Sequence, residues 1–149
     1  MKKDFQLSLK AIDAALRDGR TGVEMLTRAC RILQQLPGYT GVYIYALEGD
    51  TLVLKAYYGR ATEHTRIPAG KGICGASVQS RAPVVVEDVA SDPRYLACNL
   101  ETRSEIVYPI FRGQLYLAQI DVDSDNPSAF GAGDEQLLAE VAKRLEPLL

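Results

Sequence analysis

Gly41-Val42-Tyr43-Ile44-Tyr45-Ala46-Leu47 and, three residues on, Thr51-Leu52-Val53-Leu54-Lys55-Ala56-Tyr57-Tyr58 mark the point where the chain changes period. β-Branched and aromatic residues crowd both runs, which favours strands. Glu48-Gly49-Asp50 between them reads as a short hairpin loop. Upstream the spacing is helical. Phe5, Leu9, Ile12 and Leu16 recur on one face of a 3.6-residue period, and Gly19 ends that segment. Thr21 then opens a second helix, with Glu24 three residues later completing a capping box. Val23, Leu26, Cys30 and Leu33 form its apolar stripe, and Pro37-Gly38 stop it.

Downstream of the hairpin the pattern is mixed. His64 to Ile67 reads as a short strand, Pro68-Ala69-Gly70-Lys71-Gly72 as a turn, and Ile73 to Ser80 as a short helix. Pro83 to Val86 reads as a buried strand, and Asp88 to Leu100 as loop with one helical turn, Asp92-Pro93 favouring a turn. Ser104 to Phe111 and Gln114 to Val122 are two further strands joined at Arg112-Gly113. After a polar connection, Asp134 opens a last helix with Leu138, Val141 and Leu145 on one face. Its early Asp134 and Glu135 and late Lys143 and Arg144 complement the helix dipole. This order predicts an α+β fold: an antiparallel sheet with the terminal helices on one face and residues 60–103 covering the other. A sheet face closed by loops is a common way to enclose a small-molecule pocket.

The 149 residues fit a single domain, 1–149, with no repeat and no linker. Seventeen Lys and Arg against nineteen Asp and Glu leave a net charge of −2, which argues against nucleic acid or an anionic membrane as partner. No apolar run reaches the roughly 18–20 residues of a membrane span, and Lys2-Lys3 is followed by Asp4 rather than a signal core. A soluble, cytoplasmic protein is expected. Cys30, Cys74 and Cys98 are odd in number and widely spaced, so neither a disulfide framework nor a structural zinc site is expected. No metal and no cofactor are expected.

Cysteines and carboxylates carry the candidate chemistry. Gly70-x-Gly72-x-x-Gly75 matches a dinucleotide-binding pattern, but the preceding strand is short and polar and the following helix too short. The glycines read instead as a tight entry into a helix, and a Cys74 in its first turn would have its thiolate favoured by the helix dipole. Cys30 lies on the apolar stripe of the second helix and reads as core. Cys98 sits on a loop beside Asn99 and Glu101, and is either a small filler or a reactive thiol. Asp121 and Asp123, two apart on one strand, share a side, and Glu105 opens the neighbouring strand. Strand ends usually meet water, so the plainer reading is a solvated rim. The sharper one is three converging carboxylates for a substrate with an amino group and an oxygen to protonate, since crowding raises a carboxyl pKa. His64, the one imidazole, reads first as a surface or hydrogen-bonded residue.

Gly70-Lys71-Gly72-Ile73-Cys74-Gly75, Glu87-Asp88-Val89, Cys98, Arg103-Ser104-Glu105-Ile106-Val107 with Pro109, and Ile120-Asp121-Val122-Asp123-Ser124 together resemble the GAF domain family. Within it the chain is most similar to the free methionine-(R)-sulfoxide reductases. The resemblance runs through Phe130 and the Asp134-Glu135 helix start, nearly the whole chain. It implies a central antiparallel sheet of about six strands, helices on one face and a loop-covered pocket on the other. It further implies that Cys98 is the catalytic cysteine, with Cys74 its neighbour in the pocket, and that Glu105, Asp121 and Asp123 hold the sulfoxide and amino groups of free methionine sulfoxide. A thioredoxin-type partner would then reduce the oxidised thiol, and a homodimer is expected. Three positions depart from the reductase pattern. His64 stands where the usual resolving cysteine would be, ten residues before Cys74, and Ala118 and Gln119 replace a glycine and an aliphatic residue. Non-catalytic GAF domains share Asp92-Pro93-Arg94-Tyr95 and Arg103-Ser104-Glu105, so the alternative reading is a sensor that binds a small ligand or signals redox state through Cys74 and Cys98.

Overall fold

The computed structural model describes residues 2–95 and 101–149. Helices α1 (Phe5–Ala15) and α2 (Gly22–Gln34) lead into the hairpin β1 (Gly41–Glu48) and β2 (Thr51–Gly59). Strand β3 (Arg66–Pro68), helix α3 (Gly72–Ser80) and strand β4 (Val84–Val86) follow. A second hairpin, β5 (Ser104–Arg112) and β6 (Leu115–Ser124), precedes the closing helix α4 (Ala132–Leu145). The six strands form one sheet in the order β3-β2-β1-β6-β5-β4, antiparallel at every neighbour pair. The α+β class and the strand number match expectation. Among the described residues no helix is long and apolar enough to cross a membrane.

Period-two alternation splits the central strands between two cores. Val42 and Ile44 of β1, Ile106 and Ile110 of β5, and Ala118, Ile120 and Val122 of β6 face α1, α2 and α4. Ile12, Leu33, Leu138, Val141 and Leu145 from those helices are fully buried against them, each contributing roughly 1.5–3 kcal/mol of apolar burial. Tyr43 and Tyr45 of β1 and Val107 of β5 point the other way, into a smaller core with Ile67, Ile73, Cys74, Val86 and Val89. The described candidate residues Cys74, Glu105, Asp121 and Asp123 gather in or beside this second core.

Thr21 caps α2, its hydroxyl accepting from the Glu24 amide, as the sequence predicts. The buried stripe of α2 is broader than predicted and shifted: Met25, Leu26, Ala29, Cys30 and Leu33 face the sheet while Val23 is exposed. Val23 lies instead on the open wall of a surface groove shared with Leu26, Ala46, Leu47 and the C-terminal Leu148 and Leu149. Likewise β4 is not the buried strand expected, because it pairs only with β5 at the sheet edge and leaves Val85 exposed. Helix α4 starts two residues early, at Ala132, because the Asp134 carboxylate accepts from the Gly131 amide and so acts from the third helical position.

Candidate functional site

The turn before α3 is built from glycine. Gly70 and Gly72 hold φ of +90° and +66°, which L side chains resist. The helix then folds back on that turn, the Gly70 amide donating to the Gly75 carbonyl at 3.2 Å. A Cβ on Gly75 would stand 2.6 Å from the Gly70 nitrogen. The glycine pattern is therefore a close-packing device, as the sequence suggested.

This seating brings Cys74, the third residue of α3, down onto the sheet, 5% exposed. A buried polar chain pins it there. Gln119 of β6 donates through Nε2 to the Cys74 carbonyl at 3.1 Å and to the Tyr116 hydroxyl at 3.0 Å. Ser77 Oγ donates to the Ala82 carbonyl, so the 2.9 Å bond between Ser77 and Tyr116 has the tyrosine as donor. The sequence marked Gln119 only as a departure from a family pattern. Its signal was a long polar side chain at an inward position of a central strand, where a partner is obligatory.

Glu105, Asp121 and Asp123 occupy the same face of β5 and β6. Glu105 pairs directly with Asp123, and Asp121 lies between Tyr43 of β1 and Val107 of β5. All three are buried, which corrects the solvated-rim reading. β6 is a central strand, and its end is covered rather than open to water. Cys74 Sγ and one oxygen each from Glu105 and Asp121 lie within 4.8 Å of one another.

Burial first, then the charge and hydrogen bond of Asp121, push the Glu105 carboxyl well above the usual carboxylate range. Asp123 is raised too, by burial and then by Glu105. Asp123 Oδ1 is buried with no hydrogen-bond partner among the described residues. The Cys74 thiol is likewise pushed well up, by burial and then by Asp121 and Glu105. The expectation that the helix dipole favours a Cys74 thiolate is therefore overturned: Cys74 does lie in the first turn, but burial among carboxyls outweighs the dipole.

A narrow pocket opens beside the cluster, with a cavity volume of about 20 Å³. Cys74, Glu105 and Asp121 line it together with Tyr45, His64 and Lys71. The Tyr45 hydroxyl donates to the His64 carbonyl at 2.7 Å, so β1 holds the rim segment that carries the imidazole. Tyr45 and Lys71 were not singled out in the sequence, although strand alternation puts Tyr45 on the face of the sheet opposite the helices, where the pocket lies. Cys98 lies outside the described residues. Cys30 is fully buried in the core on the helical side of the sheet, away from the pocket, and its thiol is pushed far up by burial.

An antiparallel six-stranded sheet with helices on one face and a polar pocket on the other defines a class, and a model of the GAF domain matches residues 22–147. The chain belongs to the GAF domain family. Within it the chain is strongly similar in sequence and structure to free methionine-R-sulfoxide reductases. The Escherichia coli protein of that name is 31% identical, the match covering 99% of this chain and 90% of the relative. The type II free methionine-R-sulfoxide reductase of Thermoplasma acidophilum is 38% identical at a TM-score of 0.83, covering 85% of this chain and 91% of that one. The Neisseria meningitidis reductase, solved in complex with its substrate, superposes at a TM-score of 0.91 with 32% identity, covering 99% and 92%.

Proposed function

We propose that this protein is itself a free methionine-(R)-sulfoxide reductase acting through Cys98. The observation that carries the reading is the buried Glu105–Asp121–Asp123 carboxyl cluster, set on a chain similar over most of its length to proteins of that name. Reducing a sulfoxide requires a thiolate for the sulfur and a proton for the oxygen, and a carboxyl with a raised pKa keeps that proton at neutral pH. The Cys98 thiolate attacks the sulfoxide sulfur while Glu105 protonates the oxygen. The oxygen passes to Cys98, giving a sulfenic acid and methionine; the cysteine sulfur loses two electrons and the substrate sulfur gains them. Asp121 and Asp123 hold the substrate ammonium.

Recycling needs a second thiol, which condenses with the sulfenic acid and releases water, and then a dithiol reductant of thioredoxin type. His64 occupies the position of the usual resolving cysteine, and Cys74 is held protonated by its surroundings. An external thiol is therefore the main route back. The reading places this cycle in a reducing cytoplasm, consistent with Cys30 and Cys74 being unpaired thiols.

The test is turnover of free methionine-(R)-sulfoxide with dithiothreitol or with thioredoxin. Turnover is expected with dithiothreitol and to a lesser extent with thioredoxin; Cys98→Ser abolishes it, whereas Cys30→Ser, altering a residue on the far side of the sheet, retains it. Absence of turnover with both reductants would overturn the proposal.

A further inference from the structure

We propose that the same pocket is also a binding site for a divalent cation of borderline hardness, zinc-like rather than magnesium-like, held by Cys74 Sγ, Glu105 and Asp121. Three observations support it. The three donor atoms lie within 4.8 Å of one another, all buried. Donors around a tetrahedral zinc ion stand about 3.4–3.6 Å apart, given Zn–S near 2.3 Å and Zn–O near 2.1 Å, so small side-chain rotations close the set. The donors come from α3, β5 and β6, so the folded sheet and not a local loop fixes their geometry.

The second observation is Asp123. Its carboxyl faces Glu105 across the β5–β6 pair, and its Oδ1 is buried without a hydrogen-bond partner among the described residues. The Asp123 carboxyl shares a hydrogen bond with Glu105 and leaves this one acceptor atom over, which a cation beside Glu105 would engage. Asp123 then either completes the coordination or orients Glu105 from behind.

The third is the donor chemistry. With their protons displaced by the metal, one thiolate and two carboxylates suit zinc or cobalt and are a poor match for the hard, oxygen-only preference of magnesium or calcium. The Gln119 bond to the Cys74 carbonyl fixes the backbone that carries the sulfur, and three protein donors leave a coordination position facing the pocket. Glu105 and Asp121 are also the groups to which the reductase reading gives the substrate, so cation and sulfoxide exclude one another. That consequence rests on the reductase reading; the binding itself does not.

The experiment is a titration of the reduced, chelator-treated full chain with Co²⁺ alone, without oxygen. One equivalent is expected to bind with a sulfur-to-cobalt charge-transfer band in the near ultraviolet, and Zn²⁺ is expected to remove the band by displacement. Cys74→Ser loses the band while Cys30→Ser keeps it. Asp123→Asn, which preserves shape, weakens binding about ten- to hundredfold. A wild-type protein with no band overturns the site, and so does a Cys74→Ser protein of native circular dichroism that keeps it. Where Cys74→Ser does not fold, Asp121→Asn decides: undiminished cobalt affinity overturns the site. The sulfoxide assay run with and without Zn²⁺ separates the two readings. A cobalt band without turnover removes the reductase and leaves the site; turnover without a band does the reverse. With both present, Zn²⁺ raises KM and leaves kcat unchanged.

Discussion

Glu105 owes its proton to its neighbours. Burial removes the water that would stabilise its carboxylate, and Asp121 places a like charge beside it. As the proposed general acid of sulfoxide reduction it is competent while protonated, so the rate is expected to fall as pH rises through the raised pKa. Glu105→Gln keeps the volume and removes the proton. Its turnover is expected to drop roughly 10²- to 10⁴-fold, the usual contribution of a positioned acid, and its pH profile to lose that alkaline fall. A variant that keeps the wild-type alkaline limb would assign the proton to another group. Cys74 obeys the same physics with a different outcome: the groups that keep Glu105 protonated also keep this thiol from becoming a thiolate.

At the scale of elements, α3 is the piece on which the site depends, and its seating depends on glycine. Gly75→Ala would bring a Cβ against the Gly70 backbone, which cannot yield as a flexible side chain can. The helix must lift, carrying Cys74 away from Glu105 and Asp121. Loss of roughly 1–3 kcal/mol is expected, as for other overpacked interiors, with a turnover loss beyond what unfolding explains; thermal melts run beside the assay separate the two. The helices and hairpins were legible in the sequence because each is written in its own period, as in the Phe5–Leu16 and Gly41–Tyr58 segments. The candidate acids and Cys74 were legible as residue types. Their burial was not. Asp121 and Asp123 stand near the end of a strand, and only the strand order β1-β6-β5 makes that strand central and covered. Nor could local sequence reveal that the polar environment of Cys74 comes from β5 and β6, and so reverses the effect of the helix dipole.

For the molecule as a whole, the acid pair makes stability depend on pH. Glu105 and Asp123 bind protons more tightly folded than unfolded. Their contribution is complete below the unfolded carboxyl pKa of about 4 and is lost as pH rises through the raised folded values. Wild type is thus expected to lose Tm as pH rises above about 4 relative to the Glu105→Gln/Asp123→Asn double variant. Each tenfold difference in proton affinity is worth about 1.4 kcal/mol, or roughly 2–4 °C at this size. Parallel melting curves across that range would refute the assignment. The stripe of α2 has a consequence of another kind. The sequence holds two methionines, and the internal one, Met25, is buried against the sheet at 6% exposure. Peroxide and hypochlorite attack thioethers that solvent can reach, so the oxidants that generate the proposed substrate find almost none in this fold to damage. The activity proposed for this protein and the placing of its internal thioether thus answer to the same oxidants.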